Sequence, residues 1–86
     1  MTRNSSRSWT VYIVECKDKT LYTGIARDLE QRLSAHNAGK GAKYTAGRRP
    51  VTLIYREGAE DRSAALVRES AIKRLSAKQK RALVAS

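Results

Sequence analysis

The chain of 86 residues contains one cysteine, one proline, one histidine, one tryptophan and no phenylalanine. A single cysteine, Cys16, excludes an internal disulfide, and a reducing, cytoplasmic setting is the simplest fit. No set of Cys and His residues has the spacing of a zinc site. No apolar run approaches the ~20 residues of a membrane span, so no membrane role is expected. The opening residues MTRNSSRS lack the apolar segment of a secretory signal and are expected to form a flexible basic tail over 1–8. The length suits one domain, expected over 9–86, and is too small for two.

Acidic residues are also scarce. Eight Asp and Glu stand against eighteen Lys and Arg, a formal net charge of +10. Such a surplus draws polyanions, nucleic acid ahead of an anionic membrane. A ribosome-associated protein would share this charge.

The residues that are present fall into alternating short elements. WTVYIVEC (9–16) and TLYTGIA (20–26) are rich in β-branched and aromatic residues and predict two strands of a hairpin. Asp28 is placed to cap a helix running to about Asn37, with Leu29 and Leu33 starting its core-facing stripe. AGKGAKYTAGRRP (38–50) reads as a loop, and VTLIYRE (51–57) as a third strand. Asp61 caps a second helix, and Ser76 with Gln79 has the capping-box pattern that opens a last short one. The order ββαβαα predicts a small α/β layer structure, a three-stranded antiparallel sheet flanked by helices.

Most acids have turn or capping duties. Glu69 does not: at about 100° per residue it projects beside Ala65, Leu66 and Ile72. It either pairs with Lys73 one turn on or meets a cation on the apolar side. Whether Tyr12 and Tyr22 share a sheet face depends on hairpin parity. A three-residue turn at 17–19 would pair Val14 with Tyr22 and Tyr12 with Gly24, placing both rings together. Such a turn normally wants glycine where Lys19 stands. Arg32 and His36 lie one turn apart, bordering the Leu29–Leu33 stripe. The 38–50 loop lacks the spacing of a nucleotide-binding P-loop. It can still hold phosphates through Lys40, Lys43, Arg48, Arg49 and its backbone amides, with Tyr44 between them. Lys73 and Lys78 extend the cationic surface toward the end of the chain.

The order of these groups resembles the GIY-YIG nuclease domain, and in particular the small stand-alone bacterial proteins of that kind. TVY (10–12) is followed by YTG (22–24), then Arg32, His36 and the helical Glu69, so the likeness spans about residues 9–84. The first motif keeps only its tyrosine, and Thr23 replaces the usual aliphatic residue of the second. The asparagine that many relatives carry about a dozen residues after the glutamate does not occur between Ser70 and Ser86.

The resemblance implies metal-dependent hydrolysis of nucleic-acid phosphodiesters with little base specificity, DNA favoured over RNA. No base-reading module is visible, so specificity is expected from nucleic-acid shape or from a targeting partner. It gives Tyr12 the part of base or water-orienting group, Tyr22 a hold on water or phosphate, and Arg32 a contact to the scissile phosphate. His36 would polarise or relay the proton, and Glu69 would be the one ligand of Mg²⁺ or Mn²⁺. Nearby cations are expected to lower the Tyr12 pKa, so that cleavage rises with pH through the neutral and mildly alkaline range. The alternative is a module of the same fold that binds nucleic acid without efficient cleavage.

Overall fold

The structure is a computed structural model that describes residues 8–86; residues 1–7, most of the expected tail, lie outside the described residues. Strands β1 (Trp9–Glu15), β2 (Leu21–Ala26) and β3 (Thr52–Ala59) form one antiparallel sheet in the order β2-β1-β3. The helices are α1 (Leu29–Asn37), a one-turn α2 (Lys43–Ala46), α3 (Arg62–Lys73) and α4 (Ala77–Ala85). The stretch expected to be loop over 38–50 therefore holds a helical turn, and β3 runs two residues past its expected end.

The β1–β2 hairpin turns through 17–19. Cys16 N–H donates to the Thr20 carbonyl at 2.8 Å, and Lys19 N–H to the Cys16 carbonyl at 2.9 Å. Lys19 takes the left-handed conformation, φ 72°, at the position where glycine is usual. This turn sets the parity: Tyr12 pairs with Gly24 and Val14 with Tyr22, so both phenols rise from one face.

Strand β1 is buried on both faces because it is central. On one side Tyr12, Val14, Cys16, Ala26, Leu29 and Val51 form a cluster, with Tyr22, Leu33 and Leu53 against it. On the other, Val11 and Ile13 meet Ala65 and Ile72 of α3, with Leu83 and Val84 of α4 packed alongside. A bulge pairs Ile13 with Tyr55 and Val14 with Leu53. The extra residue, Ile54, lets Ile54 and Tyr55 both join the second cluster while Leu53 joins the first. Leu66, expected on the apolar face of α3, is 38% exposed.

The caps follow the sequence. Asp28 Oδ1 accepts from Gln31 N–H at 3.0 Å and Asp61 Oδ1 from Ala64 N–H at 2.8 Å. Ser76 and Gln79 make the reciprocal box. Helix α4 is tied to the hairpin by Arg81, which donates to Glu15 Oε2 at 2.9 Å and to the Lys19 carbonyl at 2.7 Å. Among the described residues no helix is long and apolar enough to cross a membrane.

Candidate active site

The site starts from an empty place in β2. Tyr12, almost fully buried at the middle of β1, lays its ring across Gly24 on the neighbouring strand. A Cβ at Gly24 would come within 2.6 Å of the Tyr12 hydroxyl. Glycine here is what lets the phenol reach across the sheet to α1. Its oxygen shares a 2.8 Å hydrogen bond with Nε2 of His36.

His36 lies deeper than the helix–sheet boundary expected from its spacing: it is completely buried. Its Nδ1 is 2.8 Å from the Thr45 hydroxyl on α2. Gly41 presses against the same imidazole, and a Cβ there would collide with it. Tyr22 meets His36 edge to face at 5.4 Å between centroids, and Tyr44 stacks on Tyr22 at 5.9 Å.

Arg32 stands on the exposed side of α1, and Glu69 comes from α3 on the far side of the sheet. They converge because β2 is an edge strand. A cavity of about 260 Å³ wraps that edge, lined by Tyr12, Tyr22, Gly24 and Arg32 with Trp9, Ile25, Arg62 and Glu69. His36 stands behind Tyr12 rather than in the wall. Arg32 also lines a neighbouring cavity of about 330 Å³ with Gln31, Ala35, Lys40 and Gly41.

Burial, aided by the nearby Tyr22, pushes the Tyr12 phenol up to about 12, although Arg32 pulls it the other way and Glu69 adds to the rise. This reverses the expectation that surrounding cations would lower it. Desolvation outweighs the field of a distant charge surplus, because solvent screens the latter. His36 is pushed below its usual value, by burial first and by Arg32 second. It therefore stays neutral at physiological pH.

Glu69 is 17% exposed, and Lys73 approaches its Oε2 at 3.4 Å, the i,i+4 pair foreseen from the spacing. So the carboxylate has both its lysine neighbour and a place in the cavity wall. Among the described residues no group of three or more His, Cys, Asp or Glu converges to cage a metal. A lone carboxylate beside phenol hydroxyls does not suit zinc. It suits a hydrated hard cation such as Mg²⁺, which keeps several waters and takes other oxygens from a phosphate.

The remaining cations differ in their freedom. Arg48 donates to Asp18 Oδ2 at 3.1 Å and to the Tyr44 carbonyl at 2.7 Å, and its guanidinium lies 4.0 Å from the centre of the Tyr44 ring. Arg49 is held by the Ala46 carbonyl at 2.8 Å and has no acidic partner among the described residues. Lys43 and Lys78 are exposed and line neither cavity. Lys40 lines the second.

Three residues near the site were not singled out in the sequence. Arg62 is two turns before Glu69, so helical periodicity puts them on one face; that signal was available. Trp9 and Thr45 carried no comparable signal. Thr45 reaches His36 only through the irregular path of the 38–50 loop.

Residues 8–82 match the GIY-YIG catalytic domain family. The chain is 56% identical over 78 residues to a UPF0213 protein of Desulfotalea psychrophila, covering 90% of this chain and 71% of that one. It is 53% identical over 73 residues to a UPF0213 protein of the archaeon Halobacterium salinarum, covering 85% and 95%. The solution NMR structure of a UPF0213 protein from Bacillus halodurans is similar at a TM-score of 0.58 and 42% identity, covering 90% of this chain and 82% of that one.

Proposed function

The chain belongs to the GIY-YIG catalytic domain family, and from that premise we propose that it is a divalent-metal-dependent endonuclease of low base specificity acting on DNA in preference to RNA. One observation carries this reading: a single cavity brings Tyr12, Tyr22, Arg32 and Glu69 together from four different elements. Nothing in packing requires two phenols, a guanidinium and a carboxylate to meet at a sheet edge.

The cavity supports a division of labour among these residues. Arg32 donates to the nonbridging oxygens of the scissile phosphate as charge grows on them. Glu69 would hold Mg²⁺ or Mn²⁺, which would supply electrophilic help at the phosphate. Tyr12 does not act as a free phenolate. With a pKa of about 12, roughly one molecule in 10⁵ is ionised at neutral pH. It accepts the proton of the attacking water while its own passes to His36 Nε2, 2.8 Å away. Tyr22 steadies the water or the phosphate through its hydroxyl.

Lys40, Arg49, Lys43 and Lys78 supply affinity for the backbone, joined by Tyr44, Arg48 and Lys73. Binding then weakens steeply with salt as counterions are released. Selectivity comes from nucleic-acid shape or from a targeting partner, because among the described residues no base-reading element accompanies the cavity. The buried Cys16 suits a reducing, cytoplasmic setting.

The test compares labelled single- and double-stranded DNA and RNA, in Mg²⁺ and in EDTA, with wild type and Glu69→Gln. Cleavage is expected with Mg²⁺ only, and the variant should lose at least ~100-fold while keeping its affinity for the nucleic acid. Equal behaviour of wild type and variant across substrates and metals would replace this reading with a non-cleaving binding module.

A further inference from the structure

Thr45 is completely buried, yet it lines neither cavity and packs in neither apolar cluster. Its hydrogen bonds explain its place. A threonine hydroxyl has one hydrogen, and Thr45 donates it to the Ala42 carbonyl at 3.1 Å. That carbonyl also accepts Ala46 N–H at 3.1 Å, using its other lone pair. With that hydrogen on the Ala42 carbonyl, the 2.8 Å contact between Thr45 Oγ1 and His36 Nδ1 is assigned as Nδ1–H donating and Oγ1 accepting.

A neutral imidazole has one N–H. With it on Nδ1, Nε2 is a bare lone pair facing the Tyr12 hydroxyl at 2.8 Å, and Tyr12 donates to it. The bonds run in one direction, from Tyr12 through His36 and Thr45 to the Ala42 carbonyl. The Tyr12 oxygen keeps its own lone pairs for the cavity. The Gly41 backbone lies against the ring, where a Cβ would collide with it.

We infer that Thr45 is a positioning residue: it locks His36 as the Nδ1–H tautomer, so that Nε2 is always the acceptor for the Tyr12 proton. The kinetic part of this inference rests on the nuclease reading; the tautomer does not. During hydrolysis one proton leaves the water for the Tyr12 oxygen and one leaves Tyr12 for Nε2. The water oxygen bonds to phosphorus as the bond to the leaving oxygen breaks, and that oxygen takes its proton from solvent. Tyr12 from β1 and Tyr22 from β2 face the ring, and Arg32 stands one turn away on α1. Among the described residues no carboxylate is paired with His36, so Thr45 rather than an acid sets the tautomer.

His36 is the only histidine in the chain, so ¹⁵N NMR of the imidazole reads it without assignment ambiguity. The free wild-type protein at pH 7.5 should show a protonated Nδ1 and an unprotonated Nε2. Thr45→Val should give a mixture or the Nε2–H form, and Thr45→Ser should restore the wild-type pattern. Cleavage by Thr45→Val should lose at least ~10-fold in kcat with KM little changed, and Thr45→Ser should recover it. A wild type carrying the proton on Nε2, or a Thr45→Val protein that keeps Nδ1–H, overturns the lock. If the valine variant does not fold, the wild-type spectrum and the serine variant decide. A wild type that cleaves nothing sinks the nuclease reading and the kinetic part with it, while the tautomer stands or falls on its own spectrum.

Discussion

The two faces of the sheet solve different problems with the same strand. Odd-numbered residues of β1, Val11 and Ile13, meet Ala65 and Ile72 in a contact that is apolar throughout. Even-numbered Tyr12 meets Gly24, His36 and, through His36, Thr45 and the glycine loop. That contact needs only volume and hydrophobicity, although α3 also sends Glu69 from this side into the cavity wall. The second buries three polar side chains in one hydrogen-bonded line and leaves room for it with two glycines. Packing alone never requires a buried histidine between a phenol and a threonine, and the proposed nuclease site accounts for this departure from plain patterning.

The largest expected effect tests the plain face. Ile72→Ala should cost about 2–5 kcal/mol in urea unfolding, with cleavage per folded molecule nearly unchanged. A comparable loss of specific activity would mean that the faces are not separable. Gly24→Ala should invert this pattern. The added methyl displaces the Tyr12 hydroxyl, so cleavage should fall by more than tenfold while stability drops by only about 1–3 kcal/mol. An active Gly24→Ala protein would remove Tyr12 from the mechanism.

Acid should act on the second face first. The folded pKa of His36 lies below its unfolded value of about 6.5. Above that value both states are neutral and stability is full. As pH falls below it, the unfolded chain takes up a proton before the folded protein does, so stability declines toward the folded pKa. Cleavage should be lost in the same direction, because protonated Nε2 accepts nothing. Unfolding followed from pH 8 to 5 and activity followed from pH 10 to 5 check both, and activity that climbs steadily to pH 10 would instead favour a free phenolate. The smallest effect compares one substitution across the sheet. Thr23 pairs with Ile13, and its buried hydroxyl has no hydrogen-bond partner among the described residues. Thr23→Val should be neutral or stabilising by up to ~1 kcal/mol, in contrast to Thr45→Val.

What the sequence made legible was whatever depends on short range. Asp28, Asp61 and the Ser76–Gln79 pair announced their helices, because caps act over three residues. The parity of Tyr12 and Tyr22 stayed open in the sequence, because it hangs on the turn length that the structure supplies, but the awkward position of Lys19 in a three-residue turn was visible in advance. What depends on local solvent was not legible. A net charge of +10 says nothing about how dry the surroundings of Tyr12 are, and the direction of its pKa was misjudged for that reason. Nor could spacing reveal that Asp18, inside the turn at 17–19, also holds Arg48 across the fold.

That last contact joins two segments far apart in the chain. Arg48 grips Asp18 in the hairpin turn, its carbonyl receives Lys17 N–H at 2.9 Å, and its guanidinium covers Tyr44, which stacks on Tyr22. The turn and the glycine loop thus form one interlocked block, and neither can be exchanged with a relative's version unless the other travels with it. In any chimera the natural unit of transplantation is this pair of segments, and a loop grafted alone would arrive without the fixture that aims its aromatic ring.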